Sequence, residues 1–413
     1  MSIWLVLAAN AVQTMLIIFT VAYSSSNSWI RPAIFPLLAW LSLQILPLNR
    51  GGLPSKLLAG CVSINTVASM CQYLDVALIS RWSFAAGGPT SRRGGTQNVF
   101  NASEKLASTA TDTDSLWTRF KWGFFAYSAW RAPATPWQVK NVPAFDPHNP
   151  NVVPSRSRFL THTLKKFLLC VLIIDFLSMA PQDPKRHADI FADNKVSFFG
   201  RWTAISAEDM IIRVVVTLVG WTSIYCVLQM TYCTLSIVAV ATHLTGVEVW
   251  PPIMGSFSDI YSIRRFWGCF WHQTFRQRIG SPAYFLTYNI FRLRRGGLTG
   301  RYLNLFLSWI ISGALHVAEE YGAGVDLGQS GSMRFFCTQA AGIVLEDAVG
   351  AVFRRFTVPR QRRWTKFVGY VWFACWMIWS SPAWLYPKLR NNKGGASDQF
   401  LPFSILGFAI ARI

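Results

Sequence analysis

Apolar runs recur along the whole chain, most of them near the roughly 20 residues that a helix needs to cross a bilayer. They occupy 3–22, 30–48, 57–80, 159–180, 211–243, 302–320, 335–353, 367–387 and 400–413. The pattern predicts an all-α, polytopic transmembrane helical bundle of about 8–9 spans. The 211–243 run is long for one span, so it is either a tilted helix or two shorter ones, and 400–413 is short enough to be a partial span. The first run lacks a basic leader and a small-residue cleavage site, so it is expected to stay as a helix. Three regions follow: N-terminal helices over 1–82, a partly flexible cytoplasmic loop over 83–158, and a transmembrane core over 159–413.

The polar segments carry a charge pattern. Segment 119–158 holds six basic residues against Asp146, segment 261–301 eight arginines and no acid, and segment 354–366 six basic residues and no acid. Between them, 181–209 is mixed and 319–333 is acidic, with Glu319, Glu320 and Asp326. Cytoplasmic loops collect Lys and Arg. Nine spans put all three basic segments on that side, with the N-terminus lumenal, as in a multi-pass protein of the endoplasmic reticulum. Segment 83–118 is rich in Gly, Ser, Thr and Asn and is expected to be a flexible loop. Its sequon, Asn101-Ala102-Ser103, then faces the cytoplasm and stays silent.

Composition sharpens this. The 413 residues are 52% hydrophobic and 14% charged, too few charges to cover a soluble surface of this size. Lys plus Arg number 39 against 19 Asp plus Glu, which suits nucleic acid, anionic headgroups or a phosphate-bearing substrate. The basic residues alternate with apolar runs and form no soluble face. That pattern favours the lipid bilayer and argues against nucleic acid. Seven of the eight cysteines lie in or beside apolar runs, with no C-x-x-C pair and no zinc spacing, so neither disulfides nor a metal site are expected.

Ionisable residues inside a span are costly and mark function or pairing. Of six histidines, His148 and His187 lie in polar loops, and His162 and His243 near span ends. His316 stands deep in an apolar run, about 21 Å along an ideal helix from Tyr302. Ser312 is one turn before it, and Gly313 would allow a neighbour to approach closely. A structural histidine bonded to another helix is the plain alternative. A proton acceptor at neutral pH is the functional one. A second cluster runs Arg264-Arg265-Phe266-Trp267-Gly268-Cys269-Phe270-Trp271-His272-Gln273. An interfacial amphipathic helix explains its tryptophans and arginines, but not the adjacent His272 and Gln273.

Together, Arg265-Phe266-Trp267-Gly268-x-x-Trp271-His272-Gln273 and Ser312-Gly313-x-x-His316 resemble the wax-synthase-like branch of the membrane-bound O-acyltransferase family, and most of all its fungal members that acetylate terpenoid or meroterpenoid alcohols in secondary metabolism. Thr135-Pro136-Trp137-Gln138-Val139-Lys140-Asn141 is also similar to a segment of those members. The resemblance spans about 130–320 and implies a tunnelled helical bundle that brings acyl-CoA to a buried histidine. His316 matches the catalytic histidine. His272 falls where many relatives carry asparagine, and it is expected to bond the thioester carbonyl or hold the alcohol. Trp267, Trp271, Gln273, Ser312, Gly313 and Arg265 are the expected substrate-binding residues. Acetyl-CoA is the implied donor, an apolar terpenoid alcohol the implied acceptor, and no bound cofactor is expected. Competing readings are a long-chain wax-ester synthase, a transporter with His316 as proton relay, and a membrane scaffold. A covalent route through Ser308 or Ser312 is a further variant of the enzyme.

Overall fold

A computed structural model describes residues 2–91, 115–179, 184–356 and 362–391. In chain order the elements are α1 (Ile3–Tyr23), α2 (Ile30–Gly52), α3 (Lys56–Tyr73), β1 (Trp82–Ser83), β2 (Gly88–Pro89), α4 (Leu116–Ser128), α5 (Arg156–Ser178), α6 (Pro184–Ile190), α7 (Ala207–Ala241), α8 (Ile263–Arg265), α9 (Arg276–Phe285), α10 (Leu298–Gly322), α11 (Ser332–Phe356), α12 (Arg362–Ser380) and α13 (Pro382–Asn391). The chain is an all-α helical bundle protein, and its one described sheet is the short antiparallel β1–β2 hairpin. Helices α3, α8 and α9 each run directly into a π-helical turn, at Leu74–Ile79, Phe266–Phe270 and Leu286–Ile290.

Five helical stretches among the described residues are long and apolar enough to cross a membrane: Ile3–Tyr23, Ile30–Gly52, Lys56–Ile79, Ala207–Ala241 and Leu327–Phe353. The 211–243 run is one unbroken helix of 35 residues. The runs at 159–180 and 302–320 are helical too but more polar, because α5 holds Lys165, Lys166 and Asp175 and α10 holds Arg301, Glu319 and Glu320. The run at 367–387 is not one helix. It breaks at Ser381, before Pro382, whose ring cannot continue the hydrogen-bond ladder. Two of the segments expected as loops are partly helical, with most of α4 in 119–158 and α8–α9 inside 261–301. The run at 400–413 and the Asn101 sequon lie outside the described residues.

Two compact units divide the chain. The first comprises Met1–Val139 and Thr274–Gly324. Its core gathers Ile17, Ile18, Leu38, Tyr73, Trp82 and Tyr127 from α1, α2, α3, the hairpin and α4. Buried Arg31 is held by carbonyls on every side: its nitrogens donate to Val21, Ser24, Ala77 and Trp82, and to the Ser24 hydroxyl. Such a complete set of partners offsets the cost of burying the charge. Helices α3 and α10 pack through glycines. A Cβ on Gly322 would lie 2.6 Å from the Ala59 carbonyl oxygen, and one on Gly60 would lie 3.0 Å from that of Glu319.

The second unit comprises Lys140–Gln273 and Val325–Ile413. Cys170 and Ile174 of α5 pack on Cys226 of α7. A capping box starts α7: the Asp209 amide donates to Ser206 Oγ at 3.0 Å, and Asp209 accepts the Ser206 amide at 3.3 Å. The same carboxylate pairs with Arg201 and with Lys195 at 3.1 Å, and that pairing raises the Lys195 ammonium above its ordinary pKa.

Candidate active site

In the first unit, His316 sits in the last third of α10. Leu315 is buried against Ala68 and Cys71 of α3, with Ile279 of α9 and Ile311 packed around them. That apolar contact fixes the rotation of α10 and so the direction in which His316 projects. The imidazole is half-buried, and its Nδ1 lies 3.8 Å from Glu319 Oε2, one turn further along. A carboxylate beside one ring nitrogen orients the ring and stabilises the imidazolium formed when the other nitrogen takes a proton. Ser312 and Gly313 lie on the preceding turn, Gly313 buried. The Ser308 hydroxyl donates to the Asn304 carbonyl at 2.8 Å, as hydroxyls inside helices commonly do.

In the second unit, the Phe266–Phe270 π-turn carries the tryptophan motif. The Trp271 amide closes it by donating to the Phe266 carbonyl at 2.7 Å, and the backbone then turns to an extended conformation. Such π-turns are costly and concentrate at functional sites. Trp271 packs edge-on to Trp221 of α7 with ring centroids 5.0 Å apart, and its face stacks on Phe266. Trp267 donates to Gln339 of α11 at 3.4 Å, an acceptor shared with Trp376 of α12 at 3.2 Å. Arg265 pairs with Asp259 and lies over the Tyr261 ring, so its guanidinium is engaged within the unit.

Gln273 is buried, and its amide nitrogen donates to the carbonyls of Trp267, at 3.1 Å, and Trp271. An amide carries two hydrogens, and both are directed at the turn. Gln273 thus closes the loop that presents His272, which is half-buried beside Trp271.

The third motif reaches this turn as well. Asn141, with φ 63°, donates from its side chain to the Gly268 carbonyl at 2.7 Å and lies 3.6 Å from Cys269 Sγ. Two segments 127 positions apart are thereby joined. Earlier in the same motif, within the first unit, Thr135 forms a side-chain turn: its hydroxyl donates to the Ala132 carbonyl at 2.7 Å and accepts the Trp137 amide at 3.2 Å. Trp137 packs on Trp82 of the hairpin.

The structure thus gathers Arg265, Trp267, Trp271, His272 and Gln273 in one unit, and Ser312, Gly313 and His316 on one helix of the other. Sequence reading missed Glu319 and Asn141. Glu319 was placed in an acidic loop, although its i+3 spacing from His316 was a usable signal. Asn141 lay inside a motif already singled out, but no spacing rule pairs it with Gly268.

Helical, membrane-adapted and carrying these motifs, the chain belongs to the membrane-bound O-acyltransferase family. The pattern described as "Membrane bound O-acyl transferase family" matches residues 250–338, a stretch that includes both candidate histidines. Among its relatives, acetyltransferase aurG of Calcarisporium arbuscula is 39% identical over 95% of each chain. Acetyltransferase fsoF of Humicola fuscoatra is 35% identical over 78% of this chain and 81% of its own. Acetyltransferase atnC of an Arthrinium species is 31% identical over 96% and 89%. The protein is accordingly a membrane-bound acyltransferase.

Proposed function

We propose that the chain transfers an acetyl group from acetyl-CoA to a hydroxyl of an apolar terpenoid or meroterpenoid alcohol in secondary metabolism. The observation that carries this reading is His316 held in α10 with Glu319 Oε2 3.8 Å from its Nδ1. Glu319 steadies the ring, and Nε2 accepts the hydroxyl proton as the alcohol oxygen attacks the thioester carbonyl carbon. The C–S bond then breaks, the proton passes to the departing CoA sulfur, and the acetate ester remains. For His272 the family resemblance implies a hydrogen bond to the thioester carbonyl or to the alcohol. Gln273, with both amide hydrogens on backbone carbonyls, shapes the loop instead. Direct transfer needs fewer parts than a covalent route, and the Ser308 hydroxyl is bonded to its own helix.

The donor's charge has a counterpart in the second unit. A cavity of about 570 Å³ is walled by Phe159 and Trp250 and edged by Arg158, His162, Lys165 and Lys166. Phosphates and an adenine ring suit cations beside aromatic walls. The names of the relatives support acetyl over longer chains. On this reading the protein is a multi-pass enzyme of the endoplasmic reticulum with its basic segments, and hence its CoA entry, on the cytosolic side. Supplying membranes with labelled acetyl-CoA, long-chain acyl-CoA and a panel of terpenoid alcohols tests it. Acetyl esters are expected, and turnover with long-chain donors alone would favour a wax-ester synthase.

A further inference from the structure

Arg278 is fully buried in α9 of the first unit, yet only part of its guanidinium is used. Its Nε donates to Gln72 Oε1 of α3 at 3.0 Å, and its Cζ lies over the Trp130 ring, 4.1 Å from the centroid. Nη1 and Nη2 are both buried with no hydrogen-bond partner. Leaving such donors unmet is expensive, and for a charged group more so. Arg31, equally buried in the same unit, shows the structural solution, with each of its three nitrogens on an oxygen acceptor. Arg278 departs from that solution while its orientation is fixed. Gln72 is itself locked, donating to the Ala126 carbonyl at 2.9 Å. The result is a preorganised fork of donors.

Its place and its charge narrow the ligand. Arg278 neighbours Ile279, and Gln72 neighbours Cys71. Ile279 and Cys71 pack with Leu315, the residue before His316, so the fork belongs to the three-helix group that carries the proposed base. Asp75 acts on Arg278 electrostatically and accepts hydrogen bonds from Ser80 at 2.7 Å, Gln277 at 2.9 Å and Ser281. The opposite formal charges cancel, so the site offers directed donors without net positive charge. That arrangement suits a neutral oxygen acceptor better than a phosphate, and the apolar surroundings suit a hydrophobic body around it.

We propose that Arg278 is a specificity-determining residue that binds a carbonyl oxygen, of a ketone, lactone or ester, on the alcohol to be acylated. The inference rests on the reading of the chain as an acetyltransferase of apolar alcohols. It adds that the acceptor carries a second, carbonyl-type oxygen, recognised by the Nη1/Nη2 fork.

The test uses the full-length protein in membranes, acetyl-CoA, and matched terpenoid alcohols with and without a ring carbonyl. The native enzyme should favour the carbonyl-bearing acceptor by about 10- to 100-fold in kcat/KM, the range of one hydrogen bond to a charged group. Arg278→Met should abolish that preference, while turnover of the carbonyl-free alcohol and the KM for acetyl-CoA stay within about twofold of native. An equal fall for both alcohols, or a preserved preference, would overturn the assignment. Should the variant be lost from membranes, thermal unfolding of detergent-solubilised native protein decides. A larger upward shift in Tm with the carbonyl-bearing alcohol supports the site, and equal shifts contradict it. Native enzyme that acetylates no alcohol would instead defeat the underlying reading, and native enzyme that acetylates both alcohols equally would defeat this inference alone.

Discussion

Two side chains that touch no reacting atom set the geometry of the proposed chemistry. Glu319 Oε2 lies 3.8 Å from His316 Nδ1, where its charge favours the imidazolium. Glu319→Gln should keep the protein in the membrane and lower kcat about 10- to 100-fold with little change in KM, because orientation rather than binding is lost. Steady-state kinetics on membranes normalised for abundance would check this, and a change confined to KM would contradict the role. Asn141 holds the Gly268 carbonyl from a backbone at φ 63°, a conformation that asparagine tolerates better than most residues. Asn141→Ala loses the bond and strains the backbone, at about 1–3 kcal/mol together. Asn141→Gly loses the bond alone. Thermal inactivation should therefore rank native above the Gly variant and the Gly variant above the Ala variant.

At the scale of elements, close packing of α3 on α10 depends on missing side chains. A methyl group added at Gly322 would meet Ser63 and the Ala59 carbonyl so closely that α3 must shift. Gly322→Ala is expected to destabilise by about 1–3 kcal/mol. Unfolding in detergent, followed by loss of intact protein on heating, would show it as a lowered midpoint. Much at this scale was legible in the sequence. The long apolar runs are helices because apolar length alone dictates it, while the Ser206/Asp209 capping box shows that α7 starts four residues before its apolar run. The break before Pro382 was not drawn from the apolar run at 367–387, because hydropathy stays high across it while the proline interrupts the hydrogen-bond ladder. The π-turns were not readable, because they depend on packing such as that of Trp271 on Trp221 and Phe266. Glu319 was hidden for a different reason. Acidic residues beside an apolar run mark a loop by hydropathy, while here α10 continues to Gly322 and keeps them on its last turns.

At the scale of the whole molecule, charge serves two purposes that sequence alone cannot separate. Basic residues between apolar runs orient a membrane protein, and on the proposed topology much of the net charge of +20 is of that kind. Structure picks out those with local work. Arg278 is buried against Trp130, and Lys165 and Lys166 edge an aromatic cavity. The Lys165→Glu/Lys166→Glu double variant should raise the KM for acetyl-CoA about tenfold, through lost and reversed charge at the cavity, and leave kcat nearly unchanged. An unaltered KM would return both lysines to topology alone. Family membership was visible in three short motifs, whereas the division of those motifs between two units was visible only in the fold.

Whether His316 is the base of an acetyl transfer is decided by ester formation in membranes bearing native protein or His316→Ala at equal abundance, given labelled acetyl-CoA and a terpenoid alcohol. Labelled acetate ester is expected from the native protein and at least about a hundredfold less from the variant, the contribution of general-base catalysis. Equal ester from both would contradict that role.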